Sequence, residues 1–223
     1  MRRACALAAL VLLATACGSS SSSGAAAPRS TSSSATASFH YGKGDCPPAT
    51  RPATRPRTFD DAPRRCLSDG VDYAAVLTTS EGVIDVDLDE KGAPGTVNNF
   101  VVLARWGWFD GGGFHRVVPG FVIQAGGEPA DRADPGYTIP DELPPSRGSY
   151  RPGTVAMANA GPDTGASEWF VCIDCTKLPG ADYPVFGQVT SGMDVVARIE
   201  ALGAGDGPPS KPVTITSVQI TQR

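Results

Sequence analysis

The sequence has no basic excess, few aromatic residues and no hydrophobic run long enough to span a membrane. Its 19 Lys and Arg are outnumbered by 23 Asp and Glu, for a net charge of −4, so it lacks the basic surface that nucleic-acid binding requires. Aromatic residues make up 7% and charged residues 19% of the 223 positions. This composition excludes collagen-like, coiled-coil and multi-span membrane proteins and predicts one globular domain with poorly folding extensions.

The N-terminus has the features of an export signal. Arg2 and Arg3 precede a short apolar run at residues 6–14, whereas a helix that crosses a bilayer needs about 20 apolar residues. Two interpretations place cleavage before Cys17: an ordinary A-x-A signal site, and a bacterial lipobox in which this cysteine is lipidated. We favour the lipobox because a Ser-rich stretch follows at once. The chain is then anchored by its lipid at the outer face of the cell membrane; the alternative is secretion.

Low-complexity sequence separates this signal from the folded domain. Residues 19–38 read SSSSSGAAAPRSTSSSATAS and contain no apolar residue larger than alanine, so burial cannot offset the entropy of ordering them. The Pro- and Arg-rich segment between Cys46 and Cys66 predicts an irregular, extended strap. We therefore predict a signal peptide at 1–16, a disordered tether at 17–45, the strap at 46–69 and a folded domain at 70–223.

Four cysteines remain once Cys5 leaves with the signal and Cys17 is lipidated. An even number of cysteines in an exported chain favours disulfides, and four of them allow three pairings. We favour the sequential pairing, Cys46 with Cys66 and Cys172 with Cys175. The alternatives are a redox C-x-x-C motif and a zinc site. A redox motif belongs at a helix N-terminus, whereas residues 172–175 follow a strand-like run, so we predict neither a cofactor nor a metal.

Hydrophobic periodicity from Val71 onward predicts two helices and eight short strands. Apolar residues spaced as on one helix face follow Thr96, a candidate N-cap, and Gly107 would end that helix. A second helix is predicted at Met193–Ala201. The predicted strands are Tyr73–Thr79, Val83–Leu88, 114–118, 121–126, 153–158, 168–173, 185–189 and 213–220. These elements predict a mainly β protein, a closed eight-stranded antiparallel β-barrel capped by two α-helices.

Three sequence blocks match one family in order and spacing. They are GWFDGGGFHRVVPGFVIQAGGE at 107–128, TVAMANAGPDTGASEWFV at 154–171 and LPGADYPVFGQVTSGMDVVA at 178–197. The string F-H-R-x-x-P-G-F-x-x-Q in the first block is highly specific. With the preceding hairpin and helix, the chain resembles the cyclophilins, the cyclosporin-binding class of peptidyl-prolyl isomerases, over about residues 70–223.

The chemistry of that class can be argued from the proline bond itself. An Xaa-Pro amide isomerises over a barrier of roughly 18–20 kcal/mol because its resonance must be broken. No nucleophile is needed: a catalyst holds the proline ring in an apolar pocket and directs a charged donor at the prolyl nitrogen of the twisted amide. Arg116 suits this role because a guanidinium stays protonated and presents several donors in a fixed fork.

The resemblance implies roles for nine further residues. Gln124 would support the arginine and the substrate, Asn159 would hold the peptide, and Tyr183 would donate to the substrate carbonyl; with Arg116 they form the predicted catalytic group. The predicted substrate-binding residues are Phe121, Val122, Ala158, Glu168, Phe170 and Leu178. His115 is expected to be structural rather than catalytic.

Two positions depart from the family pattern. Glu168 stands where the family has a glutamine that contacts substrate backbone, and a carboxylate cannot donate hydrogen bonds; from this we predict that Glu168→Gln raises turnover on neutral peptides. Lys177 stands where some members have a tryptophan that contacts cyclosporin, so cyclosporin-like ligands should bind with reduced affinity.

The sequence thus predicts a monomeric, exported and lipid-anchored prolyl isomerase without cofactor. Its expected partners are Xaa-Pro segments of exported or envelope proteins, with no nucleic acid and with membrane contact only through the lipid. The alternatives are a catalytically weak module that binds proline peptides, and a chaperone. Arg116 favours the enzyme.

Overall fold

A computed structural model describes residues 39–48, 50–56, 58–127 and 134–223, all of which belong to one compact unit. The predicted signal peptide, Cys17 and the tether up to residue 38 lie outside the described residues. No helix in the described part of the chain is long and apolar enough to cross a membrane.

The described chain contains eight strands and two α-helices, as predicted. In order they are β1 Tyr73–Thr79, β2 Gly82–Leu88, α1 Pro94–Arg105, β3 Arg116–Val118, β4 Val122–Ala125, β5 Thr154–Met157, β6 Trp169–Cys172, β7 Val185–Ser191, α2 Met193–Glu200 and β8 Ile215–Gln222. The sequence did not predict the short 3-10 helices at Arg147–Ser149 and Cys175–Lys177.

The strands form one curled sheet in the order β3-β4-β6-β5-β7-β2-β1-β8, and each pairing is antiparallel. The mainly β prediction is confirmed, but the predicted closure of the barrel is overstated. In the described residues an isolated bridge joins Gly113 and Thr214, which precede the edge strands β3 and β8 and lie outside them. The short β3 begins only after the glycine run at 111–113, so the sheet is a half-barrel.

Alternation along β3 to β6 divides their side chains between two faces. One face packs into the main core beneath α1, and the large buried side chains there include Trp169, Ile123 and Met157. The opposite face carries a smaller apolar cluster that includes Val122, Phe170 and Cys172. The sheet therefore has a second apolar surface outside its main core.

The start of α1 corrects the predicted cap. The N-cap residue is Ala93, which makes no side-chain cap, and Pro94 occupies the first turn. Thr96 lies inside that turn, so it cannot be the N-cap. Instead the carboxylate of Glu142 accepts hydrogen bonds from the backbone N–H groups of Gly95 at 3.0 Å and Thr96 at 2.7 Å, which places negative charge at the positive end of the helix.

The strap contains no helix or strand among its described residues, as predicted. The disulfide between Cys46 and Cys66 is present, which confirms this pairing. Phe59 places its ring within 5.8 Å of the Trp108 ring and donates its N–H to the Pro135 carbonyl at 2.8 Å. The strap therefore contacts both the chain after α1 and the loop at 134–137.

Candidate active site

A groove of about 620 Å³ lies over the outer face of β3, β4 and β6. All ten residues predicted to be catalytic or substrate-binding line it: Arg116, Phe121, Val122, Gln124, Ala158, Asn159, Glu168, Phe170, Leu178 and Tyr183. Residues from three separate sequence blocks therefore meet at one surface.

The register of the sheet explains why these side chains are neighbours. Arg116 pairs with Gln124 across β3 and β4, and Gln124 pairs with Phe170 across β4 and β6. Directly paired residues point to the same face of a sheet. The guanidinium, the amide and the aromatic ring therefore form one row along the groove.

One half of the groove is apolar. Val122, Phe170 and Leu178 are almost fully buried, with 2%, 4% and 2% of their surface exposed. The ring of Tyr183 meets that of Phe170 edge-on, with centroids 5.4 Å apart, and Phe121 packs against the same cluster. These side chains form a concave surface suited to a small hydrocarbon ring.

The second disulfide supports this apolar half from below. Cys172 and Cys175 are bonded, which confirms the predicted pairing, and both are buried in the same cluster. Cys172 ends β6, which carries Phe170, while Cys175 opens the 3-10 helix that leads to Leu178. The disulfide thus joins two walls of the pocket.

Arg116 lies at the edge of the apolar half and makes hydrogen bonds on two sides. Its Nε and Nη2 donate to the two carboxylate oxygens of Asp206 at 2.6 and 2.9 Å, and its Nη1 donates to Gln124 Oε1 at 3.2 Å. The Asp206 carboxylate raises the pKa of Arg116 above its ordinary value. The Arg116 Cζ lies 5.8 Å from the centroid of the Phe121 ring.

Glu168 extends this polar row. Its Oε2 accepts a hydrogen bond from Gln124 Nε2 at 2.6 Å and lies 3.7 Å from His115 Nε2. The neighbouring imidazole lowers the pKa of the Glu168 carboxyl, so this side chain is an anion at neutral pH. Asp206, Arg116, Gln124, Glu168 and His115 form one continuous polar chain beside the apolar pocket.

Asn159 and Ala158 border the groove at the end of β5. The Asn159 Nδ2 donates to the Asp182 carbonyl at 2.9 Å, and the Ala158 N–H donates to the Glu168 carbonyl at 2.9 Å. The asparagine amide thereby holds the chain just before Tyr183, whose backbone N–H is bonded to the Tyr150 hydroxyl at 3.0 Å. Both Asn159 and Tyr183 are placed at the groove as the sequence predicted.

Sequence reasoning missed several positions that lie in or beside the groove. Asp206 lies in the loop after α2, outside the three matching blocks, and a single aspartate among glycines gave no signal. The far half of the groove is lined by further residues that were not predicted: Gly127, Asp134, Pro135, Ala160, Thr164, Ala166 and Ser167. Among the described residues, no group of three or more His, Cys, Asp or Glu side chains could hold a metal ion.

Lys177 takes part in the turn next to the groove. Its Nζ donates to the Gly120 carbonyl at 2.6 Å, which ties the 3-10 helix to the turn between β3 and β4. This lysine is exposed, so a cation lies beside the groove at the position that the sequence resemblance matched to a tryptophan.

Comparison with known proteins places this chain in a family. Residues 74–220 match the family described as cyclophilin type peptidyl-prolyl cis-trans isomerase/CLD. A peptidyl-prolyl cis-trans isomerase of Helicobacter pylori is 40% identical over 131 residues, which cover 56% of this chain and 79% of that protein. Peptidyl-prolyl cis-trans isomerase-like 1 of Mus musculus is 41% identical over 128 residues, covering 55% and 76% of the two chains.

A third relative is much longer than this chain. Peptidyl-prolyl cis-trans isomerase 9 of Schizosaccharomyces pombe is 36% identical over 154 residues, which cover 66% of this chain but 25% of that protein. The similarity to it is therefore confined to one part of that relative.

Solved structures share the fold. A Cryptosporidium parvum cyclophilin type peptidyl-prolyl cis-trans isomerase aligns with a TM-score of 0.62 at 22% identity, covering 68% of this chain and 99% of that one. The same protein in the presence of the dipeptide Ala-Pro aligns with a TM-score of 0.60 at 23% identity, covering 67% and 99%. Because the family match spans more than half of the sequence, the chain belongs to the cyclophilin-type peptidyl-prolyl cis-trans isomerase family, which confirms the fold and the enzyme class predicted from the sequence.

Proposed function

We propose that this enzyme accelerates Xaa-Pro isomerisation by holding the proline ring in the apolar half of the groove and stabilising the twisted amide with Arg116. The observation that carries this proposal is the position of the guanidinium, at the edge of the pocket formed by Phe121, Val122, Phe170 and Leu178. A cation beside an apolar pocket is the arrangement that the chemistry requires.

The hydrogen-bond donors of Arg116 suit the change at the prolyl nitrogen when the amide twists. A guanidinium has five N–H donors, and three of them bond Asp206 and Gln124. Among the described residues this leaves one donor on each terminal nitrogen. When the amide twists, its nitrogen gains a localised lone pair that accepts such a donor, whereas the planar ground state has none to offer. The interaction is thus stronger in the transition state, which is the condition for raising the rate.

The remaining predicted roles are part of the same proposal. The apolar side chains bind the proline ring, Tyr183 donates to the carbonyl that precedes it, and the chain around Ala158 and Asn159 aligns the peptide. Holding the substrate in this way lowers the entropic part of the barrier. Isomerisation needs no bond to be made or broken.

We also propose that the substrates are exported or envelope proteins. The two disulfides, Cys46–Cys66 and Cys172–Cys175, support this because disulfides persist in oxidising compartments. The predicted signal and the lipidation of Cys17 point to the same location. Mass spectrometry of the native N-terminus tests them: a lipidated Cys17 supports the anchor, and an unmodified Cys17 at the mature N-terminus supports secretion.

The activity is tested by the cis-to-trans rate of an Xaa-Pro peptide with the full chain and with Arg116→Ala. We expect strong acceleration by the parent and a loss of about a hundredfold or more in the variant. The control is Arg64→Ala, which removes an exposed ion pair with Asp45 away from the groove. A parent that binds the peptide without accelerating it would instead be a recognition module, and full activity of Arg116→Ala would reject the mechanism.

A further inference from the structure

We propose that Asp206 and Glu168 are positioning residues that hold the Arg116–Gln124 pair from its two ends. This inference rests on the proposed role of Arg116 in the reaction. Neither carboxylate is required to touch the reacting atoms. Each acts through the side chain that it bonds.

Asp206 holds the guanidinium through two parallel hydrogen bonds. They engage Nε at 2.6 Å and Nη2 at 2.9 Å, the fork geometry that orients an arginine most strictly. The loop that carries Asp206 is itself attached to β3, because the Val117 N–H donates to the Gly207 carbonyl at 2.7 Å. Val117 directly follows Arg116, so backbone bonding places the carboxylate beside its partner.

Glu168 determines which way the Gln124 amide points. A glutamine amide presents an acceptor oxygen at one end and a donor NH₂ group at the other. An ionised carboxylate only accepts, so Gln124 must turn its Nε2 toward Glu168, where the distance is 2.6 Å. Its Oε1 then faces Arg116 Nη1 at 3.2 Å. The reversed amide would set donors against the guanidinium donors on one side and oxygen against oxygen on the other.

Hydrogen bonds to Asp206 on one side and Gln124 on the other together restrict rotation of the Arg116 guanidinium within its own plane. Asp206 bonds Nε and Nη2, and Gln124 bonds Nη1, so each nitrogen of Arg116 is held. The two donors that remain then have a defined direction toward the pocket. Donors that are already oriented need no reorganisation when the charge of the transition state develops.

The expected effect is on the rate rather than on stability. The Asp206 side chain is 65% exposed and that of Arg116 is 30% exposed, and exposed ion pairs contribute little to folding.

The geometry also reverses the expectation from the sequence for Glu168→Gln. A glutamine at 168 can accept or donate, so only Arg116 would still constrain the orientation of Gln124; with one of the two constraints lost, we expect a slower enzyme.

The test measures kcat/KM for one Xaa-Pro peptide with the full chain and the variants Asp206→Ala, Asp206→Asn and Glu168→Gln. Each is made in the parent and in the Arg116→Ala background, with thermal unfolding as a check on folding. We expect Asp206→Ala and Glu168→Gln to lower kcat/KM by about three- to tenfold, with unchanged unfolding temperature. Asp206→Asn should lose less, because its amide oxygen still accepts one of the two bonds.

The Arg116→Ala background separates positioning from other roles. If the carboxylates act only through Arg116, their removal there has no further effect, because residues that act as a unit are not additive. The matched control is Asp194→Ala, which removes a similarly exposed carboxylate paired with Arg198 and should leave kcat/KM unchanged.

The outcomes distinguish this inference from the proposed function. If Arg116→Ala is slow but both carboxylate variants keep the parent rate, the positioning role is wrong and the function stands. The inference is equally wrong if the variants lose as much in the Arg116→Ala background as in the parent. If Arg116→Ala itself keeps full activity, the mechanism fails and the positioning role fails with it.

Discussion

The guanidinium of Arg51 lies against the carboxylate of Asp110, a salt bridge between residues 59 positions apart. The same guanidinium donates to the carbonyls of Ala104 at 2.9 Å and Val218 at 3.0 Å. Asp110 is only 8% exposed and also accepts the Val218 N–H at 3.1 Å. One arginine of the strap thus joins the end of α1 to β8.

Arg51→Ala should therefore destabilise the protein by about 1–3 kcal/mol, because it removes a charged donor from the buried carboxylate of Asp110 and from the carbonyls of Ala104 and Val218. Urea unfolding measures the change. Arg64→Ala is the matched control, since its pair with Asp45 is exposed at 55% and 84% and should contribute little. Equal losses in the two variants would show that the burial of Asp110 is irrelevant.

Removing the charge of Glu142 should weaken the start of α1. We expect Glu142→Gln to lower the free energy of unfolding by about 1 kcal/mol, because the carboxylate caps the helix N-terminus. Asp60→Asn is the control, since Asp60 is an exposed acid of the strap. Stability is measured by thermal or urea unfolding. If Glu142→Gln is as stable as the parent, Glu142 does not stabilise the start of α1.

Phe121→Ala should weaken substrate binding more than turnover. The ring forms part of the pocket cluster, so its loss removes apolar contact that is present throughout the reaction. We expect KM to rise about tenfold with a smaller change in kcat. Val83→Ala removes an apolar side chain that is 46% exposed on β2 and should leave both constants unchanged. A fall in kcat alone would point to a catalytic role for the ring.

On the acid side of its pH profile, kcat/KM should begin to fall only at an unusually low pH. His115 lowers the pKa of Glu168 below its usual 4.5, and Arg116 lowers that of Asp206 below 3.8. Both carboxylates therefore stay ionised as the pH falls toward these values, and what they contribute is lost only below them. We expect kcat/KM to be constant from neutral pH down to about pH 5. A decline that begins near pH 6 would contradict this.

Cyclosporin should bind weakly, because the exposed Lys177 stands where some cyclophilins have a contacting tryptophan. Calorimetric titration of the parent and of Lys177→Trp tests this expectation, and the variant should bind more tightly. Lys211→Trp serves as the control, because Lys211 pairs with Glu81 rather than with a groove residue. Tight binding by the parent would show that position 177 does not determine affinity.

Much of the site was predictable because its residues lie on short segments with strong local patterns. The string around Arg116, Phe121 and Gln124 carries both the family resemblance and the strand alternation that directs these side chains to one face. Glu168 shows the limit of local patterns. Its chemistry as an acceptor was evident from the sequence, but its contact with Gln124 was not. The sequence alone therefore predicts a faster Glu168→Gln enzyme, the geometry predicts a slower one, and the measured rate decides between them.

The order of strands and helices and the apolar positions could be inferred from residue type and spacing alone, whereas the sequence left three disulfide pairings open and only favoured the one that the structure shows. These features depend on interactions between residues that are near in sequence or chemically distinctive. Folding determined the contacts between distant segments: Asp206 meets Arg116 across 90 positions, and Glu142 reaches Thr96 across 46. Asp206 and Glu142 take these roles only because the curled sheet and its loops bring them next to a cation or a helix end. The sequence around either residue gives no sign of that contact.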